Sequence, residues 1–297
     1  KNKFKNMKKG FYPALGTPTN SDGELIKNSF NKQIELMIEA GAQGVLCMGS
    51  MGKMESIKNK EYPKIAVECT KTVASRIPVM VGAMDCSVAR ILDRVNALDS
   101  IKIDGIVATA PFYYKVDEKG IINFFKLLSK SARYPIYIYD LPSVTQSPIS
   151  ISHLRVLVEE SNIKGIKTGN LNLIMELYRE NLLGNNRDFS IFYSNLDLFD
   201  VAIKSGITKN LDGMFTCTPY NSRKIYEEGS DDLMIFESLN NILKLRNLFL
   251  KENVLSAYSY AMKLLNCPGD YHPDYALAIS DKLKDEIHEL MKEIKEL

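Results

Sequence analysis

The stretch Asn162-Ile-Lys-Gly-Ile-Lys-Thr-Gly-Asn170 reads as a short buried strand with Lys167 at its C-terminal end. Burial disfavours the charged form of a lysine, and a neutral amine can attack a carbonyl to form a Schiff base. A lysine that ends a strand is more often a snorkelling surface residue, so the surrounding pattern has to decide its meaning.

Working outward, short apolar, β-branched or aromatic runs alternate with longer amphipathic stretches. The strand candidates are Tyr12–Thr17, Gly44–Met48, Pro78–Gly82, Gly105–Ala108, Pro135–Tyr139, Ile163–Lys167, Ser190–Tyr193 and Asp212–Thr216. Helix candidates lie near Ser29–Ala40, Lys58–Ala74, Val88–Leu98, Gly120–Ala132, Ser152–Glu159, Leu171–Asn181, Leu196–Lys204 and Tyr220–Glu227. The strands are near-continuous apolar runs, as in a parallel sheet buried on both faces. Repeated strand–helix order implies right-handed crossovers, and eight such units predict an α/β fold, a (β/α)8 TIM barrel. An open doubly wound sheet is the alternative, but no Gly-x-Gly-x-x-Gly follows the first strand.

The pattern changes after Gly229. Residues 1–229 are expected to form the barrel with a short N-terminal arm, and 230–297 a C-terminal helical extension packed on it or on a neighbouring subunit. Asp231–Leu265 and Asp274–Leu297 read as helical, broken by Pro268-Gly269 and Pro273. An ordinary cap without a catalytic part is the expectation for this extension.

The bulk numbers narrow the classes. The 297 residues carry 38 basic and 36 acidic side chains, a net charge of +2, with no basic run interleaved with aromatics, so nucleic acid is not an expected partner. The lysine cluster between Lys1 and Lys9 reads as a solvated arm. No apolar run approaches the ~20 residues needed to cross a bilayer, and no signal peptide opens the sequence. The five cysteines are scattered without a Cys-x-x-Cys pair, which fits thiols in a reducing cytosol. The three histidines stand far apart, so no metal site is expected. A cytoplasmic location is the expectation.

In a barrel of this kind the C-terminal strand ends and the loops after them carry function. Those ends read Thr17, Gly49-Ser50-Met51-Gly52, Pro111-Phe112-Tyr113-Tyr114, Tyr139-Asp140-Leu141-Pro142, Lys167-Thr168 and Thr216-Cys217-Thr218. They gather a lysine, tyrosines, hydroxyls and a glycine-rich turn around one mouth. No histidine or carboxylate dyad is among them, so triad hydrolysis, glycosidase chemistry and metal-assisted hydrolysis lack their parts. Imine chemistry on a carbonyl substrate remains. The turn from Gly49 to Gly52 can offer backbone N–H groups and a hydroxyl to a small carboxylate. It is not a phosphate loop, because Cys47 and Met54 both break that pattern. Tyr139 lies one unit before Lys167, and adjacent strands are ~4.8 Å apart, so phenol and amine can meet one substrate. Hydroxyls such as those of Ser50, Tyr139 and Tyr113 can relay a proton.

At these residues the chain resembles the N-acetylneuraminate lyase and dihydrodipicolinate synthase family of class I, pyruvate-dependent aldolases. The matching motifs are Pro13-x-x-x-Thr17-Pro18, Gly49-Ser50-Met51-Gly52, Ala110-Pro111-Phe112-Tyr113-Tyr114, Tyr139-x-x-Pro142-Ser143 and Gly165-Ile166-Lys167. The resemblance implies that Lys167 condenses with the C2 carbonyl of pyruvate or a 2-keto acid. By the same likeness Tyr139 is general acid/base, Ser50 joins the hydroxyl relay, and Tyr113 comes from a neighbouring subunit. Ser50 and Met51 would hold the substrate carboxylate, with Thr17, Asp197 and Thr216 as further binding candidates. The family implies a homotetramer, a dimer of dimers, with an aldehyde as second substrate and neither metal nor organic cofactor.

Departures from the family pattern are specific. Met51 replaces the usual threonine, Lys53 a customary glutamate, and Val144 the arginine by which the synthases bind their second substrate's carboxylate. Of the Asp-Glu pair that binds sugar hydroxyls in sialic acid lyases, only Asp197 is kept, and Asn195 replaces a glycine. The expected function is therefore a Schiff-base aldolase or lyase joining or splitting pyruvate and an aldehyde, of the N-acetylneuraminate lyase or 2-keto-3-deoxy acid aldolase type. Condensation of pyruvate with aspartate semialdehyde is one alternative, and a non-catalytic keto-acid-binding protein on the same scaffold is another.

Overall fold

The computed structural model describes residues 4–184 and 188–297. In chain order the elements begin with β1 (Gly10–Pro13), α1 (Lys27–Glu39), β2 (Val45–Cys47), α2 (Tyr62–Val73), β3 (Val79–Gly82) and α3 (Val88–Ala97). Next come β4 (Gly105–Thr109), α4 (Glu118–Ser131), β5 (Ile136–Tyr139), α5 (Pro142–Thr145), α6 (Ile151–Leu157), β6 (Ile163–Thr168) and α7 (Leu171–Arg179). The remainder is β7 (Ser190–Tyr193), α8 (Phe199–Lys204), β8 (Lys209–Asp212), α9 (Pro219–Tyr226), α10 (Asp232–Phe249), α11 (Val254–Leu264) and α12 (Asp281–Glu293).

All strand pairs are parallel, in the order β1-β8-β7-β6-β5-β4-β3-β2. A parallel bridge from Ala14 to Leu46 and the Leu15 N–H bond to the Leu46 carbonyl (2.9 Å) close the ring. The fold is the expected (β/α)8 barrel. Short strands suffice because each is buried on both faces and each return is made by an amphipathic helix. Side-chain caps begin several of these helices, including Ser87 on α3, Asp117 on α4 and Asn170 on α7.

The lower barrel is filled by aromatic rings. Phe192 meets Tyr12 edge-on at 4.9 Å and Tyr137 at 5.7 Å between centroids. Glycine makes room for them. A Cβ on Gly165 would fall 2.3 Å from the Ser190 carbonyl oxygen and 2.7 Å from the Tyr137 ring. Gly165 thus lets β6 lie close to β7 and to that ring, two residues before Lys167.

Several boundaries differ from the sequence reading, among them the first strand, which is Gly10–Pro13 and not Tyr12–Thr17, and three differences weigh more. The last strand is Lys209–Asp212, not Asp212–Thr216. The apolar run Met214–Cys217 instead forms a 3-10 turn, begun by the Met214 N–H donating to Asp212 Oδ1 at 2.7 Å. The strand itself looks polar because buried Asn210 accepts from the Tyr226 hydroxyl at 2.7 Å. Secondly, the helical stretch Asp231–Leu265 is two helices, α10 and α11, because Asn253 restarts the chain by capping the Ser256 N–H. Thirdly, α12 covers only Asp281–Glu293 of the stretch Asp274–Leu297. The helix α10 packs on α8 and α9, and α11 and α12 pack on α10.

The C-terminal residues are tied to the barrel through Glu296. Its carboxylate accepts the N–H groups of Tyr220 (2.9 Å) and Asn221 (3.0 Å) at the start of α9, and the Asn221 side chain at 2.7 Å. Burial pushes this carboxyl up to about 7 against those three donors. A carboxyl whose folded pKa is raised binds a proton that the unfolded chain has released, so its contribution falls as pH climbs. Urea unfolding is expected to show stability dropping by up to about 3 kcal/mol between about pH 5 and about pH 8 from this group. Glu296→Gln should flatten that part of the slope, and an identical slope in the variant would refute the assignment. Gly165→Ala is expected to cost about 2 kcal/mol or more in the same measurement, because neither the Ser190 backbone nor the packed ring can give way.

Candidate active site

Lys167 is drawn into the barrel mouth by strand register. It pairs with Tyr139 on β5 and with Phe192 on β7. The residue is 7% exposed, and its Nζ lies 3.8 Å from the centroid of the Tyr139 ring. Among the described residues Nζ has neither a hydrogen-bond partner nor an ion pair within 4.0 Å. Three residues later Asn170 caps α7, so the chain leaves the site at once. The strand end is pinned by Asp140, whose Oδ2 accepts the Thr168 hydroxyl (2.8 Å) while Oδ1 accepts the Ile149 N–H (3.0 Å). Burial raises the Asp140 carboxyl above the usual range, opposed by these donors and by the Lys167 charge.

A cavity of about 440 Å³ opens over this lysine. Tyr139, Ser50 and Met51 line it, and the Ser50 hydroxyl reaches the Tyr139 hydroxyl at 3.4 Å. The turn that carries Ser50 and Met51 lies between two left-handed residues, Met48 and Lys53. Its Ser50 and Met51 N–H groups make no hydrogen bond among the described residues and remain open to an anion. Gly52 is required here, since a Cβ would fall 2.8 Å from the Met48 Cα and 3.0 Å from the Leu15 carbonyl oxygen. The Met51 side chain lies over Gly213 at the end of β8, where a Cβ would fall 2.5 Å from the thioether methyl.

The other sequence-predicted residues stand apart from the cavity. Thr17 is fully buried and donates to the Gly52 carbonyl (2.9 Å), so it holds the turn from beneath. Thr216, also fully buried, bonds the Gly213 carbonyl (2.7 Å) and the Tyr258 hydroxyl (2.5 Å). Asp197 forms a two-point ion pair with Arg246 of α10, at 2.7 and 3.0 Å. Tyr113 is 76% exposed and packs edge-on against Tyr114, away from Ser50 and Tyr139.

Two contributors were missed by sequence reasoning. Asp212 lines the cavity at the end of β8, a position hidden by placing that strand too late. Burial raises its carboxyl, while the Met214 N–H and the Lys167 charge pull it down. Val254 and Leu255, from the first turn of α11, also face the cavity, so the helical extension forms part of the mouth. The Asn253 cap just before them was the available signal. Lys53 is buried too, with its ammonium bonded to the Thr19 hydroxyl (2.7 Å) and the carbonyls of Asp270 (2.7 Å) and His272 (3.0 Å). It ties the carboxylate turn to the segment before α12 and lies outside the cavity lining.

Residues 7–294 match the family described as the dihydrodipicolinate synthetase family. The chain belongs to that family. Among curated relatives, the 4-hydroxy-tetrahydrodipicolinate synthase of Gluconacetobacter diazotrophicus is 29% identical over 171 residues, 58% of each chain. That of Methanosphaera stadtmanae is 29% identical over 203 residues, 66% of this chain and 67% of its own. The matched stretch thus spans rather more than half the length of the first of these relatives. Among solved structures, the prophage protein YagE of E. coli K12, in complex with pyruvate, superposes with a TM-score of 0.87 at 21% identity, covering 97% of this chain and 99% of its own. CdNal of Clostridium difficile, in complex with mannosamine, gives 0.84 at 18% identity over 96% and 99%. At such identities these two likenesses speak for the shared fold alone.

Within this family member, Thr17→Val removes the hydroxyl beneath the turn while keeping its shape. The Gly52 carbonyl then loses its side-chain donor in a buried place, and a stability loss of about 1–3 kcal/mol is expected in chemical unfolding without any ligand present. Unchanged ligand-free stability would mean that Thr17 does not support the turn.

Proposed function

We propose that the chain is a class I aldolase or lyase that makes or breaks a carbon–carbon bond between pyruvate and an aldehyde through an imine on Lys167. The observation that carries the reading is the buried Lys167 amine, without a partner among the described residues, facing the cavity beside the Tyr139 ring. The amine adds to the C2 carbonyl of the keto acid, water departs, and the resulting iminium withdraws electrons from C3. In cleavage the substrate's C4 hydroxyl loses a proton as the C3–C4 bond breaks, and the electron pair is held as an enamine. Tyr139, bonded to Ser50, is the group placed to take that proton. The open N–H groups of Ser50 and Met51 hold the keto acid's carboxylate, with the thioether of Met51 as an apolar lid where a hydroxyl would otherwise stand.

The partner half of the cavity supports an uncharged aldehyde. Leu141, Pro142, Val254 and Leu255 line it, and Lys167 is its only cation among the lining residues. Val144 is 49% exposed and offers no charge to a second carboxylate. This favours a 2-keto-3-deoxy acid type of substrate over aspartate semialdehyde. Asp197, committed to Arg246, is not free to bind sugar hydroxyls, which places N-acetylneuraminate second. Tyr113, highly exposed, is available to complete the relay of a second copy in a homotetramer. A reducing, cytoplasmic setting fits five free cysteines, four of them buried.

Pyruvate release is to be assayed across 2-keto-3-deoxy acids and N-acetylneuraminate, with pyruvate-dependent condensation of aldehydes, aspartate semialdehyde included, as the reverse test. Turnover of at least one non-acidic partner is expected, and Lys167→Ala should lose at least about a thousandfold. Preference for aspartate semialdehyde would move the protein to the synthase type. Borohydride trapping on Lys167 without turnover of any partner would leave a keto-acid-binding protein.

A further inference from the structure

The imine reading leaves Asp212 without a part, although it faces the same cavity as Lys167. It stands two strands away, across β7, while Tyr139 flanks the lysine from the opposite side on β5. Substrate space lies among the three. Asp212 Oδ1 is fixed by the Met214 N–H at 2.7 Å, but among the described residues Oδ2 accepts no hydrogen bond. Asp140 differs, since each of its oxygens has a protein donor. A carboxyl oxygen without a protein donor, facing a half-buried cavity, is free to hold a proton and pass it to a substrate.

Among the described residues no ion pair joins Asp212 to Lys167 within 4.0 Å, yet the Lys167 charge lowers the Asp212 carboxyl. Both side chains line the one cavity, so a bound keto acid can meet the amine and the carboxyl together. The other cation that acts on Asp212 is Arg246, which lowers its carboxyl as Lys167 does. Arg246 on α10 is already paired with Asp197. Burial pushes the Tyr226 hydroxyl on α9 and the Cys217 thiol in the turn after β8 well above their usual ranges.

We propose that Asp212 is the acid that completes imine formation and then the counter-ion of the imine. The proposal rests on the Schiff-base reading above. Neutral Lys167 adds to the keto acid's carbonyl and gives a carbinolamine. Asp212 passes its proton to the departing hydroxyl, the carbon–oxygen bond breaks, and the nitrogen lone pair forms the C=N bond. Amine, ketone and carboxylic acid become iminium, water and carboxylate, so protons and charge balance. The new anion faces the new cation across the cavity, where opposite charges attract. Tyr139 and Ser50, on the other side, are left to move the proton of the carbon–carbon step.

The test is the rate of borohydride trapping with pyruvate, followed by intact mass, for the wild type, Asp212→Asn and Lys167→Ala between about pH 6 and about pH 9. Asparagine keeps an acceptor for the Met214 N–H, so the turn after β8 should stay in place. Asp212→Asn is expected to trap about tenfold or more slowly at about pH 8 and to recover as pH falls and solvent acid substitutes. A rate within about twofold of wild type at every pH, or the same fractional loss at every pH, overturns the role of Asp212. Wild type without any adduct on Lys167 overturns the Schiff-base reading itself, which separates the two failures.

Discussion

An amine enclosed in a protein with no acid in contact is the constraint on which the rest of this structure depends. Water and a carboxylate are the usual company of a lysine, and here neither the burial nor the neighbours of Lys167 provide them in full. Such a placement persists only where the backbone leaves no alternative. In a strand, a shift of one residue would turn Lys167 to the outside and bring Ile166 or Thr168 to the mouth. The pairing of Tyr139 with Lys167, the Asp140–Thr168 bond and the immediate Asn170 cap together fix that register. Gly165 serves the same end from below by letting the Tyr137 ring fill the barrel beneath the amine.

Much of this was legible in the sequence because the signals are local. Continuous apolar runs separated by helical periods gave the eight units, and buried parallel strands have no other pattern to show. Lys167, Tyr139 and Ser50 could be brought together on paper, since each ends or directly follows a strand and neighbouring strands have fixed spacing. The structure places these three around one cavity with Met51.

What stayed hidden depends on tertiary satisfaction of polar groups. The segment Lys209-Asn-Leu-Asp212 lacks the look of a buried strand, and its asparagine is accommodated in the core by the Tyr226 hydroxyl and the Ile207 carbonyl. The apolar Met214–Cys217 run then attracted the strand assignment. That error turned Asp212 from a mouth residue into a strand start. Similarly, Thr17 and Thr216 stand at the right height but turn their hydroxyls to the Gly52 and Gly213 carbonyls, a choice that no spacing rule reveals. Lys53, which breaks the family pattern, makes sense only beside the carbonyls of Asp270 and His272, more than two hundred residues away.

The charges around the cavity bear on what can occupy it. On the proposed reading, the cation of the imine is matched by the keto acid's own carboxylate on the Ser50 and Met51 N–H groups. Asp140 and Asp212 are already present, one with both oxygens engaged and one with an oxygen free. A second substrate bearing a carboxylate would add another anion to this side without a second cation to receive it, since Val144 and the aliphatic wall supply none. Rejection by like charge discriminates between partners as firmly as a dedicated contact does. A hydroxylated neutral aldehyde meets no such penalty, and a free carboxyl oxygen on Asp212 can bond its hydroxyl group. On the proposed reading, selectivity in this barrel rests as much on the missing second cation as on the lysine that is present.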